Sequence, residues 1–139
     1  MSEPTSVNNC RLIELSKIND DRGSLTFIEG KHHIPFDIHR IYYLYDTPAD
    51  SQRAGHAHRH CFQFLIALTG SFSIHLDDGL AQQSVLLDHP WQGLLITPMI
   101  WFTIDRFSPG AVCLVLASEK YDQSGYCRDY DDFLKAVRQ

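Results

Sequence analysis

The chain has 139 residues, 44% of them hydrophobic, and a formal net charge of −5. This suits one globular domain with an apolar core and excludes general nucleic-acid binding, which needs a basic face. No apolar run approaches the ~20 residues of a membrane-spanning helix, so no membrane partner is expected. The polar start "MSEPTSVNNC" lacks the basic end and apolar stretch of a signal peptide. Cys10, Cys61, Cys113 and Cys127 are scattered with no CxxC pair, which reads as four reduced thiols in a cytoplasmic protein.

Residues 1–10 read as a flexible N-terminal tail and 11–139 as a single domain. From there, short alternating or apolar segments follow one another: residues 11–18, 24–29, 38–45, 61–68, 71–76, 82–87, 93–98, 99–105 and 111–118. Sharp turn signals stand between them, "DDRG" at 20–23, "TG" at 69–70, "DDG" at 77–79, "DHP" at 88–90 and "SPG" at 108–110. Asp78-Gly79 between two alternating runs predicts a tight hairpin, because both residues tolerate positive φ. Only residues 129–137, "DYDDFLKAV", read as helix, with Asp at the start and Phe133, Leu134 and Val137 on one face. The prediction is therefore all-β: a jelly-roll, cupin-like antiparallel barrel with a short C-terminal helix.

The segment "RAGHAHRH" at 53–60 sets His56, His58 and His60 at alternate positions. On a strand these share a face, and in a small jelly roll that face can look into the barrel. Metal-binding cupins join such a pair to a carboxylate a few residues on and to a third histidine from a neighbouring strand. Here the carboxylate position holds Phe62 or Gln63, and Trp101, Phe102 and Thr103 follow Pro98. Two imidazoles alone make a poor divalent site, so no metal and no other cofactor is expected. His60 reads as a surface or supporting histidine.

The surroundings suggest a different use for the pair. Arg40, Tyr42 and Leu44 share one face of their strand, Arg53 precedes the histidines, and Trp101 follows Pro98. Arginines grip diphosphate oxygens, aromatic faces stack on a base or sugar, and a histidine moves protons near neutral pH. Tyr42, Arg40, Arg53, Gln63 and Trp101 are thus candidates to line a sugar-nucleotide pocket.

The ordered segments "DDRGSLTFIEGKHHIPFDIHRIYYLYDTP", "RAGHAHRH", "LDDG", "ITPMIWF" and "LVLASEKYDQSGYCRDYDDF" together resemble the sugar 3,4-ketoisomerases over about residues 11–135. These are WxcM-like, metal-independent cupins that act on dTDP-4-keto-6-deoxyglucose. The resemblance implies an isomerase that turns a 4-keto into a 3-keto sugar through an enediol, in deoxyamino-sugar biosynthesis for a lipopolysaccharide or S-layer glycan. It implies His56 and His58 as the pair handling the C3 and C4 protons. Tyr42 would line the sugar site, and Arg53 would help hold the nucleotide-sugar. It also implies a homodimer with exchanged N-terminal strands. Two positions depart from the pattern: Phe102 stands where histidine often follows the tryptophan, and Phe62 where glutamate is frequent. Both leave the C4 stereochemistry of the product open. The alternatives are a 3,5-epimerase acting on the same substrate class and a non-catalytic sugar-nucleotide-binding domain.

Overall fold

A computed structural model of the chain describes residues 5–138. Its strands, in chain order, are β1 (Arg11–Glu14), β2 (Ile18–Asp20), β3 (Gly23–Leu25), β4 (Arg40–Leu44), β5 (Arg53–His58) and β6 (Gln63–Thr69). They continue with β7 (Phe72–Asp77), β8 (Gln82–Leu87), β9 (Gln92–Ile96), β10 (Trp101–Asp105), β11 (Val112–Ala117) and β12 (Tyr126–Cys127), and α1 (Tyr130–Val137) closes the chain. One five-stranded sheet runs β1-β9-β6-β11-β4 and another runs β12-β5-β10-β7-β8, with every strand pair antiparallel.

Period-two alternation places the core between these sheets. Phe72, Ile74 and Leu76 of β7 and Phe102 and Ile104 of β10 are buried, whereas Ser73, His75, Trp101, Thr103 and Asp105 lie on the opposite face. From the other sheet Leu65, Ala67, Cys113 and Val115 join the same cluster. β6 shows no alternation because both its faces are covered. Its outward Phe64 and Ile66 pack with Leu15, Ile34 and Phe36 in a second cluster, supplied by the chain on either side of the β2–β3 hairpin. The ring of Phe64 fills the space that a Cβ at Gly93 would take, so the ring lies directly over the β9 backbone there.

The helix prediction holds. Asp129 caps α1, its carboxylate accepting from the Asp132 amide at 3.0 Å, and Phe133 is fully buried against Ala57 and Cys127. Three local expectations change. Residues 11–18 form two strands, because Leu15 turns inward after β1 and its amide donates to the Trp91 carbonyl at 2.7 Å. The hairpin expected at Asp78-Gly79 forms, but only Gly79 has positive φ, and four residues connect the strands: Asp77 pairs with Gln82, and the Asp78 carboxylate accepts from the amides of Leu80 and Ala81. The tail prediction for residues 1–4 lies outside the described residues. Val7 and Cys10 are buried, and the Val7 amide donates to the Asp78 carboxylate at 2.8 Å. Ser6 caps this turn, and Val7 and Cys10 belong to the core while Asn8 and Asn9 are exposed.

Candidate active site

A cavity of about 270 Å³ opens between the two sheets, and both contribute to its wall. β4 supplies Arg40, Tyr42 and Leu44, the inward face of that strand, while Ile41, Tyr43 and Tyr45 are exposed on the other side. β11 adds Val115, β10 adds Phe102 and Ile104, and β5 adds Arg53, Ala54 and His56. Tyr121 and Tyr126 complete the lining.

A bulge aims the histidines. Phe102 pairs with His56, but the next residue of β10, Thr103, pairs with Ala54, leaving Gly55 without a partner. Ala54 has φ 67° and Gly55 φ 81°. For alanine the left-handed region costs about 1–2 kcal/mol, a strain characteristic of functional segments, and glycine enters it freely. The extra residue bends β5 and changes the register ahead of His56.

His56 faces the cavity and His58 lies deeper, 5% exposed. Their Nε2 atoms are 3.1 Å apart, so one ring donates a hydrogen bond to the other. Tyr126 packs on both rings, at centroid distances of 4.9 and 4.5 Å, and Phe102 lies 5.4 Å from His56. Burial, then the charges of Arg128 and Arg40, push the His56 pKa down to about 4. Burial, followed by the adjacent His56 and the same two arginines, lowers that of His58 to about 3. At neutral pH both imidazoles are uncharged and one proton is shared between the two Nε2 atoms. Such a pair can accept a proton and is driven to give it back, since an imidazolium there faces two guanidinium groups.

Across the cavity, burial raises the Tyr42 phenol far above its ordinary range, and the nearby Tyr126 adds to the effect. It is therefore a neutral hydrogen-bond donor. Its oxygen accepts from Gln63 Nε2 at 2.7 Å. The guanidinium of Arg40 lies 5.3 Å from the Tyr42 ring and 5.6 Å from that of Tyr121. Among the described residues two buried side-chain polar atoms have no partner, Arg40 Nε and Gln63 Oε1. Each such atom costs about 1–3 kcal/mol unless something pairs with it.

The sequence candidates divide accordingly. His56, His58, Tyr42, Arg40 and Arg53 come together, with Arg53 at the exposed rim. Gln63 stands behind Tyr42 rather than on the cavity wall. Trp101 is not in this cavity: alternation along β10 turns it to the outer face of its sheet, against Tyr130 and Phe133. Phe62 also lies elsewhere, packed near Phe36 in the second cluster, so of the two departures only Phe102 touches the histidines. His60 is exposed. Among the described residues no group of three His, Cys, Asp or Glu side chains is placed to hold a metal ion.

Sequence reasoning missed Tyr121, Tyr126 and Arg128. The Arg128 guanidinium lies 4.5 Å from the Tyr126 ring, and Tyr126 pairs with His58 through β12. The aromatic and basic density of "KYDQSGYCRDY" was the available signal.

Comparison with known proteins is consistent with this geometry. Residues 8–138 match the family described as FdtA: WxcM-like, C-terminal. A curated TDP-4-oxo-6-deoxy-alpha-D-glucose-3,4-oxoisomerase from Aneurinibacillus thermoaerophilus is 43% identical over 127 residues, covering 91% of each chain. A solved structure of the 3,4-ketoisomerase QdtA from Thermoanaerobacterium thermosaccharolyticum is a histidine-to-asparagine variant in complex with TDP-4-keto-6-deoxyglucose. It is 41% identical with a TM-score of 0.92, covering 94% of both chains. The rmlC epimerase of Mycobacterium tuberculosis shares the fold alone, at 15% identity and a TM-score of 0.76 over 88% of this chain and 69% of its own.

Proposed function

This chain belongs to the FdtA family (WxcM-like, C-terminal), and from that premise we propose that it is a TDP-sugar 3,4-ketoisomerase acting on TDP-4-keto-6-deoxyglucose. The observation that carries the reading is the neutral histidine pair, Nε2 to Nε2 at 3.1 Å, at a cavity whose other wall presents a phenol and an arginine with an unpaired Nε.

The chemistry follows from those groups. The ketone at C4 acidifies the C3 hydrogen, and His56, the histidine lining the cavity, takes that proton. The electron pair moves into the C3–C4 bond and onto the C4 oxygen, giving an enediolate. Hydrogen bonds from Tyr42 and Arg40 stabilise the oxygen that becomes negative, an electrostatic effect that is strong in a dry site. The C3 hydroxyl proton passes to the C4 oxygen while C4 collects a proton from the imidazolium, leaving a ketone at C3. No electrons leave the sugar. His58 shares the transferred charge through the Nε2 contact, and the low basicity of the pair favours return of the proton over its retention.

At about 270 Å³ the cavity falls just below the ~300–1,000 Å³ usual for ligand pockets. It suits one sugar ring, leaving the diphosphate to Arg53 at the rim and the base to the rings of Tyr121 and Tyr126. A 3,5-epimerase would need proton transfer at C5 as well, and the wall opposite His56 offers a phenol and an arginine rather than a second base pair.

The active unit is a homodimer that exchanges N-terminal strands. In support, among the described residues the β2–β3 hairpin pairs with no other strand, and all six of its residues are exposed. Ile41, Tyr43, Tyr45 and Leu68 also present an apolar outer face. Light scattering at micromolar concentration should give twice the chain mass. A cytoplasmic location is supported by four buried free cysteines. The 3-keto product is the substrate type that a C3 aminotransferase consumes on the way to a surface-glycan sugar.

The test of function is incubation with TDP-4-keto-6-deoxyglucose in D₂O, followed by NMR. The isomerase moves the ketone to C3, whether C4 receives the returned C3 hydrogen or a deuteron from solvent. Exchange at C5 would indicate epimerase chemistry, and binding with neither conversion nor exchange would indicate a non-catalytic module.

A further inference from the structure

Gln63 is 1% exposed, opens β6, and stands two strands from Tyr42. β11 lies between them, and its registers define the crossing: Ala117 faces both Gln63 and Arg40, while Val115 faces both Leu65 and Tyr42. The Gln63 amide therefore passes diagonally over β11, beside the methyl side chain of Ala117, to reach the phenol oxygen at 2.7 Å. Its other amide atom, Oε1, is left buried and unpaired. A leucine at this site would fill similar space with no polar atom to satisfy, so stability alone does not explain a glutamine here.

We infer that Gln63 is a positioning residue that fixes the Tyr42 hydroxyl as a donor toward the sugar. A phenol has one hydrogen to give. With Nε2 donating to the Tyr42 oxygen, that hydrogen has no acceptor in Gln63 and is free for the substrate oxygen that becomes negative in the enediolate. With the amide reversed, Oε1 would take the phenol hydrogen and withdraw it from the reaction. Gln63 touches neither sugar nor histidine in this scheme and acts through Tyr42 alone. This inference rests on the proposed ketoisomerase reading.

The experiment is a mutant cycle assayed with TDP-4-keto-6-deoxyglucose, with thermal melts to check folding and titration calorimetry to measure TDP affinity. Q63E replaces the donor by a carboxylate that accepts the phenol hydrogen, and should lower kcat by about 10²-fold, as does loss of one stabilising donor at a developing oxyanion. TDP affinity should stay within threefold of wild type. Q63M, which removes donor and acceptor together and keeps the apolar packing, should lower kcat about tenfold, the worth of one ordinary hydrogen bond, and serves if Q63E does not fold. In a Y42F background neither change should lower kcat by more than about twofold, because the group they position is already gone.

Wild-type kcat in Q63E would overturn the inference. So would losses in Q63M and Y42F that multiply in the double variant, or a fall confined to TDP affinity and melting temperature. Wild-type protein that fails to convert the sugar would refute the proposed function itself. An active wild type with an indifferent Q63E refutes only the role given to Gln63.

Discussion

Acid should destabilise this protein between pH 6.5 and 4.5, and the two histidines account for most of that loss. Each is held neutral in the fold, its pKa lowered from the ordinary 6.5 to about 4 for His56 and about 3 for His58. Folded values below the unfolded value mean that stability is complete above pH 6.5 and falls as pH drops, because the unfolded chain gains protons that the folded one refuses. At 1.36 kcal/mol per pH unit, each histidine loses about 2.5 kcal/mol between pH 7 and pH 4.5, and the pair about 5. Whole domains hold only about 5–15 kcal/mol, so the protein should stand near its unfolding midpoint at the acid end. Most carboxylates remain ionised over this window, their ordinary values being near 3.9, so they contribute little. Urea unfolding at pH 7, 5.5 and 4.5, for wild type and for H56N/H58N, measures the difference. The wild-type midpoint should fall steeply while the double variant stays almost level. Parallel slopes in the two proteins would refute the claim that the pair is buried and neutral.

His56→Asn or His58→Asn should lower kcat by about 10²–10⁴, the range for a lost general acid or base, with TDP affinity retained. His60→Asn, at an exposed position, should stay within a few-fold of wild type in the same assay. Arg53→Ala should raise KM about tenfold and leave kcat nearly unchanged, because one charge-assisted hydrogen bond of about 1.5 kcal/mol serves ground and transition states alike. Gly93→Ala, which drives a methyl into the Phe64 ring, should lower stability by about 1–3 kcal/mol, read as a lower melting temperature with kcat per folded molecule intact.

Long alternating segments made the two-sheet barrel legible, and the same alternation located Arg40, Tyr42 and His56 on inward faces. Where a face depends on a single residue of register, sequence reading was weakest. Trp101 and Phe102 are adjacent on β10, and only the structure distinguishes the one against α1 from the one against His56. β12 has two residues, too few to carry a period, so Tyr126 and Arg128 had no pattern to identify them. The bulge at Ala54–Gly55 was equally hidden, since neither residue's left-handed backbone is encoded in hydrophobic alternation. Gln63 could be seen as polar, but its place behind Tyr42 depends on β11 separating two strands distant in sequence.

The strand order β1-β9-β6-β11-β4 contains no neighbours that are consecutive in the chain, and in the other sheet only β7 and β8 are. Pairings of such long range make folding slow, because loop closure precedes any stabilising contact. While the chain is being synthesised, the β7–β8 hairpin is the one neighbouring pair in these two sheets that can close locally. β5 has both its partners, β10 and β12, still to come, so its histidines lack their full cover until the last strand is made. The surroundings of the histidine pair are thus among the final things to form, and a chain stopped before Tyr126 would have the histidines without the ring that covers them.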